Sequence, residues 1–403
     1  AASGSSDTVD SAVTDFPDIR FKVAVQSAAH GNLLVADPGC QLVLRVDRTG
    51  HVHLAADLRG RILRGQWQPG EALTAESELA RTYGVALGTI RQAIALLVER
   101  GMLERRHGKG TFVNAFGTLV ERIEINMTNP DPALPEGERS TVKHPHPILT
   151  DANVRKALSM AIDRQTLVDV GYGGAGRPTC NLVPAPAFQA SDNTECLTQD
   201  IEGAKALLEG AGWTDSDGDG IRDKDGKKLS IVYQTTVNPV RQDFQALIKG
   251  WWNEIGVEVE LKAIDPSVFF GGDAASPDTF QKFYADVEMY ANNFDGTDAE
   301  PYMAQYLCDK IPGPENQWQG ENINRFCDPA YDALVKELSG TSGIDARGAL
   351  VKKMNDMLTK DSNIVIPLVD RGRFSAKSNT LDGFVMNSWD TELWNAQDWT
   401  RAK

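Results

Sequence analysis

The chain has 403 residues, 41% of them hydrophobic and 24% charged, with a formal net charge of -15. That length and balance bound a globular protein of two or three domains, and the lack of any run of roughly 18 to 20 apolar residues excludes a membrane-spanning helix and hence membrane insertion. The charge is uneven: residues 57–114 hold nine Lys/Arg against six Asp/Glu, a basic island in an acidic chain that points to a partner of its own.

In chain order, the opening Ala1-Ala2-Ser3-Gly4 lacks a methionine, as after a signal-peptidase cut or in a recombinant start. Residues 1–22 are mostly small, polar and acidic and read as a disordered or loosely attached arm. Within 23–56, two β-rich runs at 33–36 and 42–46 flank an Asp37-Pro38-Gly39 turn. The stretch 31–50 resembles one NHL-type propeller repeat. A single repeat cannot close a propeller, so a hairpin leaning on a neighbour is the expectation.

From Leu58 the spacing becomes helical, with Leu58, Ile62 and Leu63 on one face and a break at Gly65 to Gly70. Thr74 is expected to cap a second helix whose first turn carries Glu76 and Glu78 and which stops at Tyr83-Gly84. A third helix is expected over 89–100, with Ile90, Ile94 and Leu97 inward and Arg91 outward. Two short strands should then bracket His107-Gly108-Lys109-Gly110. This order is a winged helix-turn-helix. The segments RGRILRGQWQPGEAL, ESELARTYGV and GTIRQAIALLVERGMLERRHGKGTFV resemble the DNA-binding domain of GntR-type regulators, which sets a domain at 57–115. The resemblance implies that Thr89, Arg91 and Gln92 face DNA and that Lys109 enters the minor groove from the wing. The pattern departs from the family at Ala86-Leu87-Gly88, where many members carry Ser-Arg. A winged helix used for protein contacts is the alternative.

Residues 116–403 alternate helices and strands. A strand is expected at 120–126, a helix capped by Asp151 over 154–164 with Val154, Leu158 and Ala161 inward, and helices at 202–211 and 240–255 that lead into strands at 229–235 and 257–264. The segments ILTDANVRKALSMAIDRQTLVDVGYGGAGRPT, AKALLEGAGW, FDGTDAEPYM, NINRFCDPAYDALV and IPLVDRGRFSAKSNTLDGF resemble the family-5 periplasmic binding proteins of peptide, nickel and opine transporters. The fold implied is α/β, a partial periplasmic-binding-protein type II fold with a reduced first lobe, preceded by the small winged helix. The function implied is closure on a peptide-like solute that is handed to an ABC permease, in the periplasm or another extracytoplasmic space.

Candidate solute-binding residues are Asn292, Asp295 and Asp298 in the loop matching the family's ligand-facing segment, where an aspartate can hold an ammonium group. Trp318 and Trp389 are candidates for packing or cation-π contact, and Arg371, with Arg373, for a carboxylate. A loop closed by its own Asx turns, core tryptophans and solvated arginines are the plain readings of the same residues.

Of five cysteines, Cys40 stands alone, while Cys180 with Cys196 and Cys308 with Cys327 form two close couples without CxxC spacing. Two local disulfides and an oxidising compartment are expected, with buried thiols as the alternative. Asp215-Ser-Asp217-Gly-Asp219-Gly220 begins like a calcium loop, but its twelfth position is Gly226 where a glutamate belongs, so no metal is assigned. No GxSxG, HExxH or Walker motif occurs, and all six histidines precede residue 147. The chain is therefore expected to be non-enzymatic and without a cofactor. Two other readings stay open: a one-component, cytoplasmic DNA-binding regulator with a solute sensor, and an artificial composite of unrelated segments.

Overall fold

A computed structural model describes residues 24–28, 32–37, 42–46, 58, 67, 72–84, 86–99, 103–106, 110–113 and 119–401, the last span without 136, 174–175, 187, 295–296, 372–377, 379, 385–392 and 394–395. The 1–22 arm, Cys40, Lys109, Asp295, Arg373 and Trp389 lie outside the described residues. The chain divides into one unit of 1–66 with 74–97 and another of 67–73 with 98–403.

In the first unit, β1 (Ala24–Ala28), β2 (Asn32–Asp37) and β3 (Leu42–Val46) form an antiparallel sheet in that order. The expected runs at 33–36 and 42–46 are β2 and β3, paired Val35 with Leu44. β1 is an addition; its Ala-Val-Gln-Ser-Ala sequence is poor in β-branched residues and carries no strand signal. Helix α1 (Glu76–Tyr83) is capped one residue past the expected Thr74: Ala75 takes the N-cap place without a side-chain bond, and its carbonyl accepts from Glu78 and Leu79. At its other end Gly84 turns at φ +63°, which lets its N–H reach the carbonyls of Ala80 and Arg81. Helix α2 (Leu87–Glu99) begins two residues before Thr89 and buries Ile90, Ile94 and Leu97, as its spacing requires.

The second unit opens with a hairpin, β4 (Leu103–Arg106) against β5 (Gly110–Val113), whose Arg106–Gly110 pair brackets the expected wing tip. Its main body is a six-stranded sheet in the order β11-β10-β12-β6-β13-β7. The strands are β6 (Val120–Ile125), β7 (Gly176–Pro178), β10 (Ser230–Thr236), β11 (Glu258–Ile264), β12 (Val287–Asn292) and β13 (Val365–Arg371). Strands β10, β11, β12 and β13 run in one direction, β6 and β7 in the other. Two small strands, β8 (Asp223–Lys224) and β9 (Lys227–Lys228), close a side hairpin.

The expected helix over 154–164 is two helices, α3 (Ala152–Met160) and α4 (Arg164–Gly171). Asp151 caps α3 by accepting from Asn153, and Asp163 ends its continuation by capping α4 through Gln165 and Thr166. A carboxylate that can satisfy fresh N–H groups makes a new start competitive with another turn. Helices α5 (Ile201–Gly210) and α6 (Pro239–Glu254) lie within a residue of their expected places, with Asp200 and Asn238 as caps.

One sheet face, with Ile123, Ile125, Ile231, Tyr233, Val287, Met289, Ile366 and Leu368, packs on Val154, Leu158, Leu167, Leu208, Phe244, Ile248 and Trp252 of the helices. Each such buried side chain contributes roughly 1.5–3 kcal/mol. A second cluster joins Val365 to Tyr302, Tyr306, Tyr331, Leu338, Val351, Met354 and Leu358. The latter come from α8 (Glu300–Met303), α9 (Pro329–Gly340), α10 (Ile344–Asp356) and their connections, all following the short helix α7 (Pro266–Phe269). Disulfides join Cys180 to Cys196 and Cys308 to Cys327, as their spacing leads one to expect.

Candidate functional site

The four co-directional strands end at Thr236, Ile264, Asn292 and Arg371, and β6 and β7 begin beside them, with Val120 opposite Asn292 and Gly176 opposite Arg371. In open α/β sheets a ligand crevice lies beyond such carboxyl ends, because the loops there diverge to opposite faces. Two of the expected solute-binding residues, Asn292 and Arg371, end strands at this edge, and Asp298 stands in the connection that leaves β12. Of the four described candidates, Asn292 and Arg371 thus stand at this edge.

Arg371 is half-buried. Its NH1 lies 3.1 Å from Glu121 Oε1 and donates to the Tyr172 hydroxyl at 3.3 Å, while its backbone N–H donates to Leu119. Glu121, fully buried in β6, also takes Arg241 of α6 through Nε at 3.1 Å and NH2 at 3.2 Å, and accepts from the Tyr172 hydroxyl at 2.9 Å. Burial first, then Glu121, pushes the Tyr172 hydroxyl up to about 12. Among the described residues Arg371 Nε has no hydrogen-bond acceptor. One carboxylate thus holds two guanidinium groups and a phenol, leaving the arrangement with surplus positive charge, which suits an incoming carboxylate. Beside it, Arg177 of β7 donates to Asp370 at 2.6 Å, and burial pushes that aspartate up to about 6 against the pull of Arg177.

Asn292 donates to Gln305 Oε1 at 3.3 Å and accepts from the Asn293 N–H. Asp298 is held at home: it accepts the Glu300 N–H and both its oxygens lie within 2.9 Å of Arg347 NH2. Trp318 is elsewhere. It is buried beyond the amino end of β12, edge-on to Tyr284 at 5.9 Å, and its cation-π partners are the protein's own Lys282 and Arg325. Glu121, Arg241, Tyr172, Arg177 and Asp370 were not signalled by sequence: Glu121 alternates like a solvent-facing strand residue, and nothing local marks Arg241.

The acidic loop is a self-closed turn. Asp215 accepts from Gly218 and Gly220, Asp217 from Asp219, and Asp219 from Ile221, while the Lys228 ammonium bonds Asp219 and lies 3.8 Å from Asp217. One carboxylate oxygen from each of Asp215, Asp217 and Asp219 lies within 4.8 Å of the others on this exposed loop, where a single lysine faces three aspartates. On α2, Arg91 and Gln92 are exposed and Thr89 is half-buried; Arg91 Nε donates to Glu76 at 2.8 Å. The solvent stripe Gly88, Arg91, Gln92, Ala95 contains one cation.

Residues 90–312, more than half of the chain, match the family described as bacterial extracellular solute-binding proteins, family 5 Middle. The chain belongs to that family. Residues 51–113 match the gntR family of bacterial regulatory proteins, so this family-5 chain also carries a gntR segment, the two matches overlapping in α2 and the hairpin. Neither match reaches 31–50, where the propeller likeness rests on its motif alone.

Among relatives, a dipeptide-binding protein of Pseudomonas aeruginosa is 24% identical over 246 residues, 60% of this chain and 42% of the relative. The oligopeptide-binding protein AppA of Bacillus subtilis is 32% identical over 130 residues, 29% of this chain and 22% of the relative. This family-5 chain therefore spans less than half the length of these relatives. The solved structure of AppA in complex with a nonapeptide aligns with a TM-score of 0.54 at 18% identity, covering 94% of this chain and 66% of that one. An oligopeptide binding protein from Thermus thermophilus complexed with a pentapeptide aligns at 0.55 and 18%, covering 91% and 59%. These likenesses establish the periplasmic-binding-protein type II fold.

Proposed function

We propose that this family-5 chain is a non-enzymatic solute-binding protein that takes a peptide-like solute at the carboxyl edge of its sheet and serves an ABC permease outside the cytoplasm. The observation that carries the reading is Arg371, half-buried and held by Glu121 and Tyr172 while Glu121 is shared with Arg241, at the edge where ligands of such sheets bind. Arg371 takes the solute's carboxylate. Asn292, Asp295 and Asp298 serve its amino end, with Asp298 exchanging part of its bond to Arg347 for the solute. The peptide-binding relatives support the solute class, and the two disulfides support an oxidising compartment. Calorimetry of the full chain with di-, tri- and oligopeptides tests it. R371A is expected to weaken binding about tenfold to a hundredfold, the worth of a charge-assisted hydrogen bond of roughly 1.5–3 kcal/mol. Absence of heat from every peptide class sinks the reading, and unchanged affinity in R371A removes that residue from it.

The gntR match favours a second reading, in which α2 and the 103–113 hairpin meet DNA and the chain is a cytoplasmic regulator. Thr89, Arg91, Gln92 and Lys109 would then make the contacts, and an electrophoretic mobility shift with random duplex decides whether they do.

A further inference from the structure

On the sheet face opposite Ile123 and Ile125, Gln234, Glu288 and Glu124 stand in one row across β10, β12 and β6, each directly opposite the next. All three are buried to within 1% of complete. Gln234 Nε2 donates to Glu288 Oε1 at 2.7 Å, Arg122 Nε donates to Glu124 Oε1 at 2.5 Å, and the Tyr306 hydroxyl lies 3.4 Å from that same oxygen. The remaining oxygens, Glu288 Oε2 and Glu124 Oε2, have no donor among the described residues. Directly opposed residues of an antiparallel pair hold their Cβ atoms roughly 4.5–5.5 Å apart, and like charges there repel. Of these two dry carboxylates Glu124 has Arg122 as counter-charge, while Glu288 has the Gln234 amide and no bonded cation among the described residues; a single proton between them removes one charge and supplies one donor.

We propose that Glu288 is a carboxylic acid in the folded protein and shares its proton with Glu124, forming a carboxyl–carboxylate pair that ties β12 to β6 and is broken by alkali. The groups facing the pair leave this role to the proton. Arg122 of β6 is taken by Glu124 and by the Tyr302 hydroxyl, and its NH2 lies 3.5 Å from the Tyr290 hydroxyl of β12. Arg325, from the connection before α9, gives its donors to the carbonyls of Ser140, Gln281, Lys282 and Ile323. Lys262 of β11 bonds Asp278 at 2.7 Å. Tyr290, Tyr302 and Tyr306 are all pushed upward, chiefly by burial, and stay neutral. Burial likewise pushes Glu288 well above the usual carboxylate range, with Arg325 the largest opposing influence. A folded-state value raised in this way gives stability that is complete at low pH and is lost as pH rises through it.

Thermal unfolding of the full chain from about pH 7 to about pH 10, for wild type and E288Q, tests the pair, with infrared absorption of protonated carboxyl groups as a second readout. Glutamine keeps the size of the neutral acid and directs an N–H where the proton would lie. The expected result is an alkaline fall in the wild-type midpoint that E288Q lacks, with a protonated-carboxyl band at neutral pH that E288Q loses. Equal alkaline slopes, no band difference, or failure of E288Q to fold would each overturn the proposal, the last because it would show that Glu288 needs its charge.

Discussion

Asp370 sits fully buried at the end of β13, with one oxygen on Arg177 and the other without a donor among the described residues. Burial dominates over the arginine, so its carboxyl rises from the ordinary 3.8 to about 6 in the fold. The folded state then binds the proton more tightly than the unfolded chain, and stability falls as pH rises from about 4 through about 6, by up to about 3 kcal/mol. Denaturant titrations of wild type and D370N across that window should show the wild-type advantage shrinking with pH; parallel curves would contradict it. At this scale the sequence put Asn292 in a loop and expected no strand before Arg371; that the two end β12 and β13 is decided by the sheet. The sequence could not separate Trp318 from them, because whether an aromatic residue lines a cleft or fills a core depends on what folds over it.

Position 171, the last of α4, has no room for a side chain because α6 passes close by: a Cβ there would stand 2.6 Å from Phe244 and 2.8 Å from Val240. Glycine in a helix ordinarily costs about 1 kcal/mol relative to alanine, so the steric demand and the intrinsic propensity oppose each other. G171A is expected to destabilise by about 1–3 kcal/mol, as overpacking does, seen as a lower denaturation midpoint at unchanged slope. A rise in midpoint would show that Phe244 yields. Element positions were largely legible: the 120–126, 229–235 and 257–264 strands and the 202–211 and 240–255 helices shift by a residue at most. The break between α3 and α4 was missed because the apolar stripe continues to Ala161 while Asp163 offers a better cap than a further turn.

At the scale of the molecule, a gntR segment and a family-5 segment share one chain and overlap at 90–113. If the former reads DNA, affinity must fall steeply with salt, and R91A should reduce the slope of log affinity against log salt by about one. A slope unchanged by R91A would leave that arginine to its bond with Glu76. The Asp151 cap, the periodicities, the two disulfide couples and both family likenesses were readable from the order of residues, since each depends on groups close along the chain. Which charges share the interior was not. Glu121 and Arg241 meet from 120 positions apart, and Glu124 faces Glu288 only because β6 lies between β12 and β13. Polar residues of an interior strand and of a solvent-facing one alternate alike, and their difference arises when other elements exclude water from them.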